Sequence, residues 1–376
     1  MNTSYRRLEG MLRCPLTATS LRLLTPEELM AVNDRYDSLT HLGGTPVGKP
    51  LEAGFSTIDG KLLYPVWDDI VRLLPAWAIV VQPNQVALDQ LTIPLASIKT
   101  DVQAFYDQVG WTEVTDNVFT DAARFEDLRP VAQEYIHRCN MRVRRYLPAK
   151  GDFLLDIASG PLQHPDYITY SENYHYRICG DISLVALQAA RRKLGDRGIY
   201  LLCDITCIPL QDNVVDSFVS LHTIYHVPAE EQALAFTELH RVLKPNRTGV
   251  VVYSWGPYSW LMLATLLPIK LINTCKRLWQ VNIWKRLQQR LHPQPSTTQE
   301  PLLYFHPQPY CWVKQVIASQ LTIDIFTWRS VSVLFTKAYA HERLGRALLR
   351  LVYQLEEQLP RLMGRLGAYP LIVIKK

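Results

Sequence analysis

From Phe153 to Ser254 the sequence alternates short apolar runs with helical stretches. The apolar runs fall at Phe153–Ile157, Tyr176–Cys179, Ile199–Cys203, Ser217–Leu221 and Gly249–Ser254, and each has the length of a strand. Between them, Ser183–Lys193 and Pro228–Leu243 carry helical patterns. Strands that alternate with helices pair in parallel through right-handed crossovers. This region is therefore expected to fold as a doubly wound α/β sheet.

Such sheets bind ligands outside the carboxyl ends of their strands, at the switch point. The first run passes through Asp156-Ile157-Ala158-Ser159-Gly160-Pro161, a strand entering a turn of small residues. There, backbone N–H groups can approach a ligand closely. The second run ends in Gly180-Asp181-Ile182-Ser183 and the third in Cys203-Asp204-Ile205, so three successive strands close on acids. An acid about 20 residues past the loop is placed to accept from ribose hydroxyls. Taken singly, Asp181 or Ser183 also reads as a cap for the following helix.

At these residues the chain resembles class I S-adenosylmethionine-dependent methyltransferases, in particular ubiquinone/menaquinone methyltransferases. The motifs are "LLDIASGP", "RICGDIS", "CDITCIPLQDNVVDSFVSLHTIYHV" and "ELHRVLKPNRTGVVVYSW". The likeness spans roughly Thr100 to Trp255 and resumes in the last strands. It implies a Rossmann-like sheet and S-adenosylmethionine as cofactor. Carried over, Asp156 and Gly160 line the methionine moiety, Ala158 between them belongs to the cofactor-binding set, and Asp181 holds the ribose hydroxyls. Asp204 contacts the adenine amino group, and Ile182 and Ile205 pack on its ring. In resembling enzymes a leading segment folds over the cofactor. That makes Tyr106 in Phe105-Tyr106-Asp107, and Tyr135 after Glu134, candidates to close the site; core aromatics at helical spacing would give the same pattern. Two departures stand out: Ala158 and Leu162 replace glycines, and Asn246-Arg247 replaces a glycine pair. A Cβ disfavours positive φ and close backbone approach.

Methyl transfer from a sulfonium is an in-line displacement, so the protein must place the acceptor and, for a hydroxyl or ammonium, take its proton. His222 and His226 follow the fourth strand and titrate near neutrality, so either is a candidate base, with Tyr225 orienting the acceptor. The alternative is that His222 packs beside the cofactor and His226 caps a helix.

The flanks differ in texture. Residues 1–98 hold short apolar runs broken by Pro and Gly. Asp59-Gly60 between Phe55–Ile58 and Leu62–Val66 signals a hairpin. Thr25-Pro26-Glu27-Glu28 opens a helix with a capping box. "LRCPLTATSLRLLTPEEL" and "IDGKLLYPVWDDIVRLLP" resemble the zinc-ribbon-like domain that accompanies some methyltransferases as an activator. Metal-binding ribbons need four ligands, and here only Cys14 remains. Residues 99–376 form the expected catalytic domain, with insertions at 256–309 and 331–367. A strand at Ile323–Trp328, a helix at about His341–Met363 and a final strand, "YPLIVIKK", would complete it.

Composition narrows the partners. The net charge is +5 and 48% of residues are hydrophobic, with no basic, aromatic-interleaved patch of the kind nucleic acid requires in the first 250 residues. No stretch approaches the ~18 apolar residues of a membrane span, and no apolar leader opens the sequence, so a cytoplasmic location is expected. The seven cysteines contain no C-x-x-C pair, which speaks against both a metal site and a disulfide framework. The segment 256–292 has six basic residues, no acid, and Trp260, Trp279 and Trp284. It reads either as a lid over the acceptor pocket or as a peripheral membrane contact. The expected acceptor is a small, partly apolar molecule methylated on O or N. A tRNA or protein methyltransferase and a non-catalytic scaffold are the rival readings. Elemental analysis of the purified protein is expected to find no stoichiometric zinc; finding it would make Cys14 a ligand.

Overall fold

The computed structural model describes residues 4–81, 97–115, 118–268 and 303–376. Its strands, in chain order, begin with β1 (Leu21–Leu23), β2 (Ala53–Thr57), β3 (Leu62–Trp67), β4 (Ile70–Arg72) and β5 (Ile79–Val80). A small hairpin follows, β6 (Glu113–Thr115) and β7 (Val118–Phe119). Then come β8 (Gly151–Ile157), β9 (Tyr174–Asp181), β10 (Gly198–Leu202), β11 (Ser217–Leu221), β12 (Thr248–Val252), β13 (Thr322–Arg329) and β14 (Tyr369–Lys375). Twelve of these form one sheet in the order β1-β2-β3-β4-β10-β9-β8-β11-β12-β14-β13, with β5 beside β3. Strands β4, β10, β9, β8, β11 and β12 run parallel, and β14 is antiparallel to both neighbours. This is the doubly wound α/β fold the sequence implied. The parallel strands bring the ends of β8, β9, β10 and β11 to one rim.

The capping box at Thr25 forms on helix Pro26–Asn33, with both reciprocal bonds present. The hairpin at Asp59-Gly60 also forms, pairing Phe55 with Tyr64, while Ile58 lies exposed outside the strand. The N-terminal segment does more than pack against the sheet. β4 pairs with β10 (Ile70 with Tyr200), continuing the parallel sheet and covering what would otherwise be an open edge. Cys14 is buried there, its Sγ 3.3 Å from the Tyr64 hydroxyl.

Near the C-terminus one expected helix is two, Glu342–Gln358 and Pro360–Leu366. Pro360 explains the break: its ring disfavours helical backbone at Leu359, which sits at φ −126° and ψ 51°. The first of these helices inserts Glu356 into the core. Its Oε1 accepts from the Tyr135 hydroxyl at 2.7 Å, and from Ser330 N and Oγ at 2.7 and 2.6 Å. Its Oε2 accepts from Arg142 Nη1 at 2.8 Å. Arg142 Nη1 also donates to the Trp328 carbonyl at 2.7 Å. Glu356, Arg142 and Tyr135 are all buried, so this network pins the end of β13 to helix Pro130–Met141. Among the described residues no helix is long and apolar enough to cross a membrane. The segment 256–292 is described only to 268, so the rest of its lid or membrane reading lies outside the described residues.

Replacing Glu356 with Ala strips three donors and one arginine of a buried partner. Urea unfolding should show a loss of about 3–5 kcal/mol, and about 1–3 kcal/mol for Glu356→Gln.

Candidate active site

A cavity of about 610 Å³ opens on the rim of the sheet, within the size range of small-molecule sites. Eleven of the twelve residues singled out from the sequence line it: Tyr106, Asp156, Ala158, Gly160, Asp181, Ile182, Asp204, Ile205, His222, Tyr225 and His226. Tyr135 does not; its hydroxyl is spent on Glu356, in the core behind the sheet. Helical spacing placed a tyrosine on that helix without fixing the face it occupies.

The loop after β8 keeps the backbone of a glycine-rich turn with only one glycine. Gly160 has φ +57°, and an added Cβ would lie 3.1 Å from the Trp111 ring. Ala158 (φ 55°) and Leu162 (φ 52°) adopt the same left-handed conformation despite their side chains. Each costs about 1–3 kcal/mol. At Leu162 the side chain offsets this, since it is buried among Ile70, Cys179, Leu187 and Leu202, and full burial of a leucine contributes about 1.5–3 kcal/mol. Ala158 N donates to the Gly180 carbonyl at 2.6 Å, which ties the loop to the end of β9.

Each of the three acids has a different environment. Asp156 is buried against Arg177, whose Nε donates to it at 3.0 Å and whose Nη2 makes a second bond to the same oxygen. Burial pushes the Asp156 pKa up and the Arg177 charge opposes this. Asp181 accepts from Gly160 N at 2.9 Å and from Ser183 N at 2.8 Å. Burial lifts its pKa to about 6. Asp204 accepts from Thr206 N on one oxygen and from Lys99 Nζ on the other, at 2.8 and 2.7 Å, and Lys99 also pairs with Glu231. Ser183 caps helix Leu184–Leu194 and donates to Asp107, fastening the leading segment to the rim. Arg177 and Lys99 were missed in the sequence. An arginine inside a buried strand, as in "YHYRICGD", does signal a buried partner; Lys99 carried no signal.

The leading helix Ser97–Phe105 ends in a π-turn, Tyr106–Gly110, a feature frequent at functional sites. There Tyr106 stacks on Trp111 at 4.8 Å and meets the edge of His226 at 6.2 Å.

The two histidines differ. His226 donates from Nδ1 to the Tyr304 carbonyl at 2.6 Å, which leaves Nε2 to accept a proton. Burial pushes its pKa down to about 4. His222 sits at φ 60°, its ring 4.5 Å from Trp328 and 5.5 Å from Tyr369. Burial and then the charge of Arg329 push its pKa to about 3. Both rings are therefore neutral at physiological pH. Tyr225 is buried, and burial raises its phenol well above 10. Cys179 and Cys203 are buried in strand and core; burial pushes Cys179 up to about 12.

A parallel sheet with acids at successive strand ends, beside a pocket of aromatic and imidazole rings, is the arrangement in which doubly wound sheets hold nucleotide cofactors. Residues 155–251 match the family described as methyltransferase domain. That match, inside the parallel core, supports a methyltransferase that takes S-adenosylmethionine as its cofactor. No curated protein matches the chain. Solved structures similar to it include a chain from the complex of the Haloferax volcanii Trm112 methyltransferase activator. That match has 14% identity, 65% of this chain and 91% of that one covered, and a TM-score of 0.38. A SAM-dependent methyltransferase from Archaeoglobus fulgidus matches at 15% identity, covering 65% and 97%, with a TM-score of 0.38. Geranyl diphosphate C-methyltransferase from Streptomyces coelicolor matches at 14% identity, covering 75% and 98%, with a TM-score of 0.41. Identities and scores this low leave the assignment to the strand order and the matched domain.

The residues present fit the cofactor: Asp181 keeps free lone pairs on both oxygens, and Ile182 and Ile205 offer apolar faces beside it. If Asp181 accepts the ribose hydroxyls as a carboxylate, protons compete with the cofactor below its pKa of about 6. Calorimetry should then show S-adenosylhomocysteine affinity flat above pH 7 and falling by up to about tenfold per pH unit well below 6. Asp181→Ala should cost on the order of 1–3 kcal/mol at pH 7.5, and Asp181→Asn should flatten the pH slope. The latter separates Asp181 from Asp121, which lines the same cavity and is also raised to about 6.

Proposed function

We propose that this enzyme methylates an O or N atom of a small, partly apolar molecule. The observation that carries the reading is that one cavity is lined both by the acids at the ends of β9 and β10 and by His222, Tyr225 and His226. Bound S-adenosylmethionine supplies an electrophilic methyl group on a sulfonium. Gly160, Ala158 and Asp156 line its methionine end, with Arg177 holding Asp156 in place. Asp181 accepts from the ribose, and Asp204 offers its remaining lone pairs to the adenine amino group while Lys99 fixes its orientation. Tyr106, braced by Trp111, closes the cofactor side.

On the acceptor side, Phe305, Leu221 and Trp328 give an apolar wall. His226 is the better placed proton acceptor, because the Tyr304 carbonyl fixes its tautomer. With a pKa near 4 it is a weak base in the free protein. It suits a hydroxyl whose proton becomes acidic only as the new bond to the methyl forms. Tyr225 orients the acceptor. We assign residues 1–98 a structural part, a ribbon-like unit without metal that completes the sheet, and 256–309 the shaping of the acceptor pocket.

Incubation with methyl-labelled cofactor and native-host extract, followed by mass spectrometry, should place label in small molecules. Label confined to RNA or protein would sink the reading. On the labelled acceptor, His226→Gln should lower kcat by about 10²-fold with S-adenosylhomocysteine affinity unchanged.

A further inference from the structure

Strand β13 ends in a bulge: the register against β14 shifts between Thr327 and Arg329. In a regular strand neighbouring side chains point to opposite faces. Here Trp328 and Arg329 both line the cavity, because a bulge re-aims the side chain that follows it. Arg329 is 5% exposed. Its guanidinium lies 4.8 Å from the ring centres of both Trp328 and Tyr369. Its Nε is buried with no hydrogen-bond partner, and among the described residues the group forms no ion pair. Glu126, the carboxylate whose field reaches it, is engaged by His164 Nε2 at 2.6 Å. The other arginines buried in the catalytic part, Arg142 and Arg177, have carboxylate partners. Stacking on two rings does not satisfy the in-plane N–H of Nε, and a buried charge without an ion-pair partner is strongly unfavourable.

We infer that Arg329 anchors an anionic group, a carboxylate or phosphate, carried by the methyl acceptor. This rests on the methyltransferase reading of the cavity and narrows its acceptor to partly apolar anions. The guanidinium fork matches either oxyanion with two parallel hydrogen bonds. Position favours the acceptor over the cofactor's own carboxylate. Arg329 sits at the ends of β13 and β14 beside His222, whereas Asp181 and Asp204 end β9 and β10 on the other side of β8. An anchored anion would set the acceptor's reactive atom against the His222 and His226 side, with its apolar body on Trp328 and Phe305. It would also neutralise the charge that depresses His222.

The test is calorimetry of the full chain, saturated with S-adenosylhomocysteine, against octanoate, octyl phosphate and neutral octanol. At least one anion should bind about tenfold or more tighter than octanol. Arg329→Gln should bring them within about twofold, and Arg329→Lys should keep part of the preference. Arg329→Gln should retain S-adenosylhomocysteine affinity and unfold at no lower temperature than the parent, since it removes an unpaired buried charge. Three results overturn the inference: no anion preference in the unaltered chain, a preference that survives in Arg329→Gln, or a loss of S-adenosylhomocysteine affinity in that variant matching any loss of anion binding. The last would assign Arg329 to the cofactor's carboxylate. Failure of the unaltered chain to bind S-adenosylhomocysteine would strike the methyltransferase reading instead. The same anion comparison in cofactor-free protein then still decides the role of Arg329.

Discussion

A charge removed from water must be paired or hydrogen-bonded, and this requirement organises the molecule around its site. Three acids are buried near the carboxyl ends of the strands, and each meets it differently. Asp156 is matched by an arginine from the neighbouring strand. Asp181 is held by backbone N–H groups of the β8 loop and the following helix. Glu356 gathers a tyrosine and the C-cap arginine of helix Pro130–Met141 together with a serine at the end of β13. These bonds tie together loop, strand and helix, so the rim is rigid before any ligand arrives. Asp156 and Glu356 spend their charge on arginine partners, whereas Asp181 is held by neutral backbone donors.

Rigidity also comes from the sheet. An open strand edge leaves backbone N–H and C=O groups unpaired, and β10 would present one without a neighbour on its outer side. Ile70-Val71-Arg72 supplies that neighbour in register with Tyr200-Leu201-Leu202, and Leu73 N extends the ladder to the Leu202 carbonyl at 2.8 Å. The residue after this stretch of β10 is Cys203, and the next is Asp204. Sealing the edge therefore steadies one wall of the cavity from a strand that precedes the parallel core in the chain.

The parallel strands were legible because a buried strand needs a nearly unbroken apolar run, and such runs stand out in one dimension. The acids at their ends were legible for the same reason, since strand direction alone puts Asp156, Asp181 and Asp204 on one rim. The partners of those acids were not. Arg177 reaches Asp156 only through the β8–β9 register, which pairs Asp156 with Cys179, and Lys99 reaches Asp204 across 105 residues of chain. Pro360 did announce the break in the C-terminal helix, but the amphipathic pattern running across it masked the signal. Tyr135 shows a further limit: periodicity assigns a residue to a helix, while the face that meets the cavity depends on packing against Glu356.

Local rules fail where the site is. Among the described residues nine non-glycines have positive φ, and four of them are Asp or Asn, which tolerate that conformation. Among the other five, Ala158 and His222 line the cavity and Leu162 belongs to its first loop. The bulge that turns Arg329 inward and the π-turn carrying Tyr106 lie on the same cavity. Strain of this kind persists only where surrounding structure over-determines it. Here that structure is visible: the buried side chain of Leu162, the bond from Ala158 N to Gly180, the bond from His222 N to the Val252 carbonyl at 3.0 Å, and Glu356 beneath the end of β13. A glycine at 158 or 162 would relax the loop and leave the backbone path free to vary. The alanine and leucine cost stability, and their neighbours hold the path that presents Gly160 to Asp181.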